Sequence, residues 1–208
     1  MNRIGNCGLF GAGLLFMAAN KVRYAVAGYT TPRPFGIDQV QRCIDYDFNV
    51  VEGWLACLRR KAGPGFSLKE RCVLELGPGA ELGTGLVLLA QGARAYHAID
   101  VNPLAIGAGM EFYEALLHAI ATRIPHAPTE ELARQVKRLM EGRPDRLDYV
   151  WDRTLSLSVF TGKGVEVVVS QAALEHLDDI QRTCQELYRV VAPGGYLVGE
   201  IDLKTHTR

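Results

Sequence analysis

The chain has 208 residues, 48% of them hydrophobic and 22% charged, and its 23 Lys+Arg balance 23 Asp+Glu for a formal net charge of zero. That length suits one domain with its own core, or one domain plus a short arm. A neutral total excludes a strong overall field for a polyanion, so no nucleic-acid partner is expected.

The segment Gly8 to Ala19, GLFGAGLLFMAA, is apolar but falls short of the roughly 20 residues a spanning helix needs. Three readings stay open for it: a signal-peptide imitation, a helix packed on the domain, and peripheral membrane contact through residues 8–19 with Lys21, Arg23 and Arg33 near the headgroups. Thr30 to Gly36 then forms a stiff link, because Pro32 and Pro34 fix their own φ and disfavour helix in the residue before each. Residues 1–36 are thus read as an apolar arm with a proline-rich link.

Asp38 suits a helix start. Val40, Ile44, Phe48, Val51, Leu55 and Leu58 follow at spacings of three and four, one apolar stripe of an amphipathic helix, with Arg59, Arg60 and Lys61 at its carboxyl end. Gly63-Pro64-Gly65 ends it, so residues 37–66 form an N-terminal helical segment. From residue 67 to 208 strands and helices alternate. Strands are predicted at Cys72–Leu76, Ala95–Asp100, Leu147–Trp151, Val165–Ser170 and Tyr196–Ile201. Helices are predicted at Thr84–Gln91, Pro103 to about Arg123, Thr129–Glu141 and Asp178–Val190. Pro193-Gly194-Gly195 reads as a type II turn into the last strand. Such alternation predicts an α/β three-layer sandwich, a mostly parallel sheet with helices on both faces.

Cys7, Cys43, Cys57, Cys72 and Cys184 are odd in number and scattered, with no CxxC pair and no Cys/His cluster. Free thiols in a reducing, cytoplasmic compartment are the expectation, and no metal site. His97, His118 and His126 are given no role.

The stretch that carries chemistry is Val73-Leu74-Glu75-Leu76-Gly77-Pro78-Gly79-Ala80-Glu81-Leu82-Gly83. It leaves a buried strand, passes through a glycine-rich loop and enters a helix, where backbone can approach a ligand closely and N–H groups are free. Asp100 ends the next strand about twenty residues on, where a carboxylate can accept hydrogen bonds from both ribose hydroxyls. Together they point to an adenosine-containing cofactor. A dinucleotide site usually reads G-x-G-x-x-G; here the spacing is one residue longer, and Glu75 and Glu81 are acids that would repel a pyrophosphate. A ligand bearing an ammonium and a sulfonium tolerates them.

Val73 to Asp100 resembles the first cofactor motif of the class I S-adenosylmethionine-dependent methyltransferases, the Rossmann-like methyltransferase superfamily. Val167-Val168-Val169-Ser170-Gln171-Ala172-Ala173-Leu174-Glu175-His176-Leu177 is similar to that family's fourth strand and the segment after it, and Ala192 to Leu197 resembles its turn into strand five. The resemblance implies S-adenosyl-L-methionine as cofactor and a small-molecule methyl acceptor. It places Gly77, Pro78 and Gly79 along the methionyl and ribose part, with Glu75 helping to hold the amino group. Asp100 falls on the ribose diol, Val101 and Asn102 beside the adenine, and Asp152 near the adenine amine. Ser170 and Gln171 face the sulfonium end and the acceptor.

His176 is the candidate general base, since histidine titrates near neutral pH; bracing of the next helix is the other reading of Glu175-His176. The helical segment 37–66 and the link before it are expected to fold over the pocket as a lid, with Tyr46 and Phe35 touching it. Trp54 and Trp151 are read as core or pocket wall. The family sheet ends in an antiparallel hairpin after strand five, and this sequence lacks one, so the domain is read as truncated there. Three functions remain open: methyl transfer, a non-catalytic methyltransferase-like module, and a nicotinamide-dependent oxidoreductase.

Overall fold

The computed structural model describes residues 39–177 and 179–203, with isolated helical positions at Gly13, Leu15, Met17 to Ala19 and Val22. Phe35, Asp38, the proline-rich link and most of the apolar segment lie outside the described residues, as do residues 204–208. Residues 1–32 and 33–208 make two compact units. In the first, Leu15, Met17 and Val22 are exposed. Among the described residues no helix is long and apolar enough to cross a membrane.

In the second unit the elements are α1 (Val40–Ala62), β1 (Cys72–Leu76), α2 (Gly83–Ala90), β2 (Ala95–Asp100), α3 (Met110–Arg123), α4 (Thr129–Met140), β3 (Leu147–Trp151), β4 (Val165–Gln171), α5 (Ile180–Val190) and β5 (Val191–Glu200). All pairings are parallel, in the order β3-β2-β1-β4-β5. The order reverses between β1 and β4, and at such a switch point the chain leaves the two strands in opposite directions, opening a crevice beyond their carboxyl ends.

β1 is buried along its whole length, so side-chain alternation divides two cores rather than core from solvent. Val73 shares one face with Tyr96, Ala98, Val167 and Val169, under α1, α2, α3 and α4. Cys72, Leu74 and Leu76 share the other with Ile99, Val165 and Val168, under α5 and the short 3-10 turn Leu157–Phe160. The expected three layers are present, with four of the described helices on one face and one on the other. Near the β3 edge of the thinner side, His97 is buried against Phe160 and its Nδ1 lies 3.1 Å from Asp148 Oδ2.

Three departures from the sequence reading have local causes. Helix is predicted from Pro103, but α3 starts at Met110, because the chain first makes a 3-10 turn at Ala105–Gly107 and then passes Gly109. The stripe on α1 is centred differently: Asp47 and Trp54 are buried and Phe48 is only partly so. Strand five begins at Val191, not Tyr196. Its Pro-Gly-Gly lies inside the strand as an irregularity, since Val165 pairs with Val191 but Val167 with Tyr196.

Glu75 stands in the middle of β1 and is 1% exposed. Tyr96 Oη donates to its Oε2 at 2.6 Å and Thr84 Oγ1 to the same oxygen at 2.6 Å. Burial and the Glu75 charge push the Tyr96 hydroxyl well above its ordinary range, so it stays a donor. Tyr96→Phe removes a donor to a buried carboxylate, and a loss of about 1–3 kcal/mol of stability is expected, read from urea unfolding at neutral pH.

Candidate functional site

The glycine-rich loop leaves β1 directly above Glu75. Gly77 has φ +72° and its amide donates to Ile99 O at 2.9 Å, which turns the chain sharply at the strand end. A Cβ on Gly77 would come within 2.5 Å of Ala173 Cβ, in the segment after β4, so this position excludes a side chain on two grounds. Gly79 follows at φ +83°.

Asp100, the last residue of β2, is 7% exposed, and its Oδ1 accepts the Asn102 amide at 2.9 Å. Burial raises its carboxyl above the ordinary aspartate range, while the amides of Asn102, Gly79 and Val101 pull it back. The Gly79 amide and the Asp100 carboxylate therefore face each other across the ends of β1 and β2. Beside them Trp151 Nε1 donates to Val101 O at 3.0 Å and Tyr149 Oη to Asn102 O at 2.8 Å. These bonds pin the Val101-Asn102 peptide planes and leave the indole 46% exposed at the mouth.

Asp152 is brought to the same edge by its amide, which donates to Asp100 O at 3.0 Å. Its carboxylate accepts from Thr154 Oγ1 and the Thr154 amide, both at 2.7 Å, and these bonds hold it below the usual range. Ser170 is fully buried and its Oγ donates to Leu76 O at 3.1 Å, tying β4 to the base of the glycine loop. Gln171, the last residue of β4, is half-buried. Glu75 lies beneath the loop with Thr84 and Tyr96 on one of its oxygens.

After β4 the chain is fastened in an unusual conformation. Ala172 has φ +49° and its amide donates to Glu200 O at 3.0 Å; positive φ in a residue with a side chain is strained and concentrates at functional sites. Glu175 Oε1 accepts the Asp202 amide at 3.0 Å. His176 closes the 3-10 turn Leu174–His176 with its side chain exposed.

Glu75, Gly77, Gly79, Asp100, Val101, Asn102, Asp152, Ser170 and Gln171 thus converge on one edge of the sheet, Pro78 lies between the two loop glycines, and His176 lies five residues past the end of β4. Asp47 of α1 joins the group from above. A Cβ on Gly83 would meet Asp47 Oδ2 at 2.0 Å and Glu81 Oε2 at 2.5 Å, so both carboxylates stand at the first residue of α2. The signal for Asp47 lay in α1, where an acid falls three residues after Ile44 and four before Val51, inside the apolar stripe. Among the described residues no three His, Cys, Asp or Glu side chains are grouped to hold a metal ion.

A search of curated protein sequences returns no match. Residues 104–199 match the family model described as a methyltransferase domain. Solved structures of similar fold include an S-adenosylmethionine-dependent methyltransferase of Mesorhizobium loti, 15% identical over 64% of this chain and 48% of that one, TM-score 0.38. Another, from Thiobacillus denitrificans and in complex with S-adenosyl-L-homocysteine, is 14% identical over 86% of this chain and 53% of that one, TM-score 0.41. A Listeria monocytogenes chain provisionally described in the same way is 15% identical over 74% of this chain and 54% of its own, TM-score 0.43. The chain spans about half the length of these proteins. Residues 104–199 are thus similar to a methyltransferase domain, and they lie within a parallel sheet of order β3-β2-β1-β4-β5.

Proposed function

We propose that this chain binds S-adenosylmethionine at the carboxyl ends of β1, β2 and β4 and transfers its methyl group to a small-molecule acceptor. The observation that carries the reading is the meeting of the Gly79 amide and the Asp100 carboxylate beside the strand-order switch. The donor set fits the group. Asp100 offers a carboxylate for a ribose diol, and Gly77 and Gly79 hold backbone in a conformation that admits close approach. Val101, with the Trp151 indole beside it, offers an apolar surface for a flat base. Glu75 supports from below: its role is to fix Thr84 and Tyr96, and through them the loop.

When bound, the cofactor would supply an electrophilic methyl group on a positively charged sulfur, the acceptor's lone pair forming the new bond to carbon while the C–S bonding pair stays on sulfur. The chain's own contribution is alignment. Ser170 and Ala173 hold the end of β4 against the base of the loop, so the acceptor side and the cofactor side of the crevice are fixed to each other. A proton is removed only from an acceptor that carries one. His176, exposed on the turn after β4, is the residue proposed to take it. Its turn is held to the end of β5 through Glu175. A neutral chain with α1 packed beside the loop suits a small acceptor better than a charged polymer.

The first test is calorimetric titration with S-adenosylhomocysteine. Binding is expected for the wild-type chain, with a loss of about 10-fold or more in Asp100→Asn, the scale of one hydrogen bond to a charged acceptor. Because burial raises the Asp100 carboxyl, the folded chain holds that proton to a higher pH than the unfolded chain does. This acid therefore costs stability as pH rises through its folded pKa. Asp100→Asn is accordingly expected to unfold no lower than wild type at neutral pH, and a large drop in its midpoint would contradict that sign.

Gly77→Ala is expected to abolish binding, because it combines a left-handed φ, costing about 1–2 kcal/mol, with overlap on Ala173. The same titration reads that loss. His176→Ala should lower turnover on a protonated acceptor while leaving homocysteine-product affinity unchanged, and equal losses in both would remove it from the catalytic role.

A further inference from the structure

We infer that Asp47 is a positioning residue through which helix α1 sets the glycine-rich loop for its ligand; the effect on affinity rests on the cofactor reading above, and the effect on the loop does not. α1 packs against α2, and its buried face carries Cys43, Ile44, Val50, Val51, Trp54, Leu55 and Leu58. Among these apolar side chains Asp47 is 0% exposed. Helix packing alone does not call for an acid there, since burying a carboxylate is costly unless the site it enters favours it.

The site it enters is the amino end of α2. The position of a Gly83 Cβ would lie 2.0 Å from Asp47 Oδ2, so only glycine leaves room for the carboxylate to approach that backbone. Glu81 Oε2 accepts the Gly83 amide and stands 2.5 Å from the same Cβ position. The amino terminus of a helix favours negative charge, which gives both carboxylates a reason to be there. Gly83 lies four residues after Gly79 with no intervening secondary structure, and Leu82 and Glu81 between them are buried. A shift of α1 at Asp47 therefore moves the anchor of the loop whose Gly79 amide faces Asp100. The far end of α1, at Leu58, is buried in the same core but lies three turns away from this contact.

The comparison that isolates the contact is Asp47→Ala and Asp47→Asn against Leu58→Ala, all in the full chain. Leu58→Ala loosens the packing of α1 without touching Gly83, and serves as the structural control. Amide hydrogen exchange on the ligand-free chain should show residues 77–83 exchanging at least about 10-fold faster in Asp47→Ala. They should exchange at the wild-type rate in Leu58→Ala, although that variant melts lower. Asp47→Asn, which keeps the shape and an acceptor oxygen, should restore most of the protection. Titration with S-adenosylhomocysteine should show the same ranking, with Asp47→Ala weakened about 10-fold and Leu58→Ala within about threefold of wild type.

Unchanged exchange at 77–83 in Asp47→Ala, or equal loosening in Leu58→Ala, would overturn the inference. If wild type binds no S-adenosylhomocysteine, the cofactor reading fails, and the exchange comparison on the ligand-free chain still decides the role of Asp47. If Asp47→Ala does not fold, Asp47→Asn carries both measurements, and wild-type protection with wild-type affinity at Asn against acceleration at Asp47→Ser distinguishes positioning from bulk.

Discussion

A carboxylate in the middle of a five-stranded sheet has to be given its hydrogen bonds by the protein, and Glu75 governs the arrangement around it. Unpaired burial would cost several kcal/mol, most of a small domain's stability. Tyr96 reaches it from β2 and Thr84 from α2, each at 2.6 Å. Those two donors require their neighbours to be small. A Cβ on Gly85 would lie 2.4 Å from the Tyr96 ring, and one on Gly83 would strike Asp47. The tripeptide Gly83-Thr84-Gly85 is a poor way to begin a helix by propensity, and it is there because one residue supplies a donor and the two beside it make space. β1, β2 and α2 are thus tied around the Glu75 carboxylate, α1 reaches the next residue of α2 through Asp47, and the loop that starts at Gly77 is held between them.

From the lock the site follows by topology. Parallel strands all present their carboxyl ends to one edge, so Leu76, Asp100, Trp151 and Gln171 finish side by side without any contact being specially arranged. The switch of direction between β1 and β4 leaves the crevice open. What is specially arranged is the closing of its two walls onto each other. Ser170 bonds to Leu76 O and Ala173 presses on Gly77, while Ala172 carries a strained φ to make the turn possible. Strain of that kind persists only where surrounding contacts over-determine it, here the bond from the Ala172 amide to Glu200 O.

Much of this was legible in the sequence because it follows from periodicity. The third strand, Leu147–Trp151, is found where the apolar pattern predicts it, and the carboxyl ends of β1 and β2 fall on the residues that the glycine loop and Asp100 define. Periodicity fails where tertiary contacts set the local geometry. Pro193-Gly194-Gly195 has the composition of a turn, yet the backbone pairs with β4 on both sides of it and the strand runs through. Thr84 and Tyr96 were not identifiable as partners of Glu75, since nothing in one dimension relates positions 9 and 21 residues away to that carboxylate. An acid inside an apolar stripe is a one-dimensional signal, and Asp47, given no role on sequence, carries it.

The same contacts bear on which ligand the loop suits. On sequence alone Glu75 and Glu81 read as charges that would repel a pyrophosphate; in the structure Glu75 lies beneath the loop, with Thr84 and Tyr96 donating to its Oε2. The stronger reason is positional. A pyrophosphate binds to free amides at a helix amino terminus. Here the Gly83 amide already donates to Glu81, and Asp47 stands over the same residue. A phosphate arriving there would have to displace one carboxyl group and lie against the other. The amino end of α2 is already occupied by the protein's own side chains, which leaves a phosphate no free amide at Gly83.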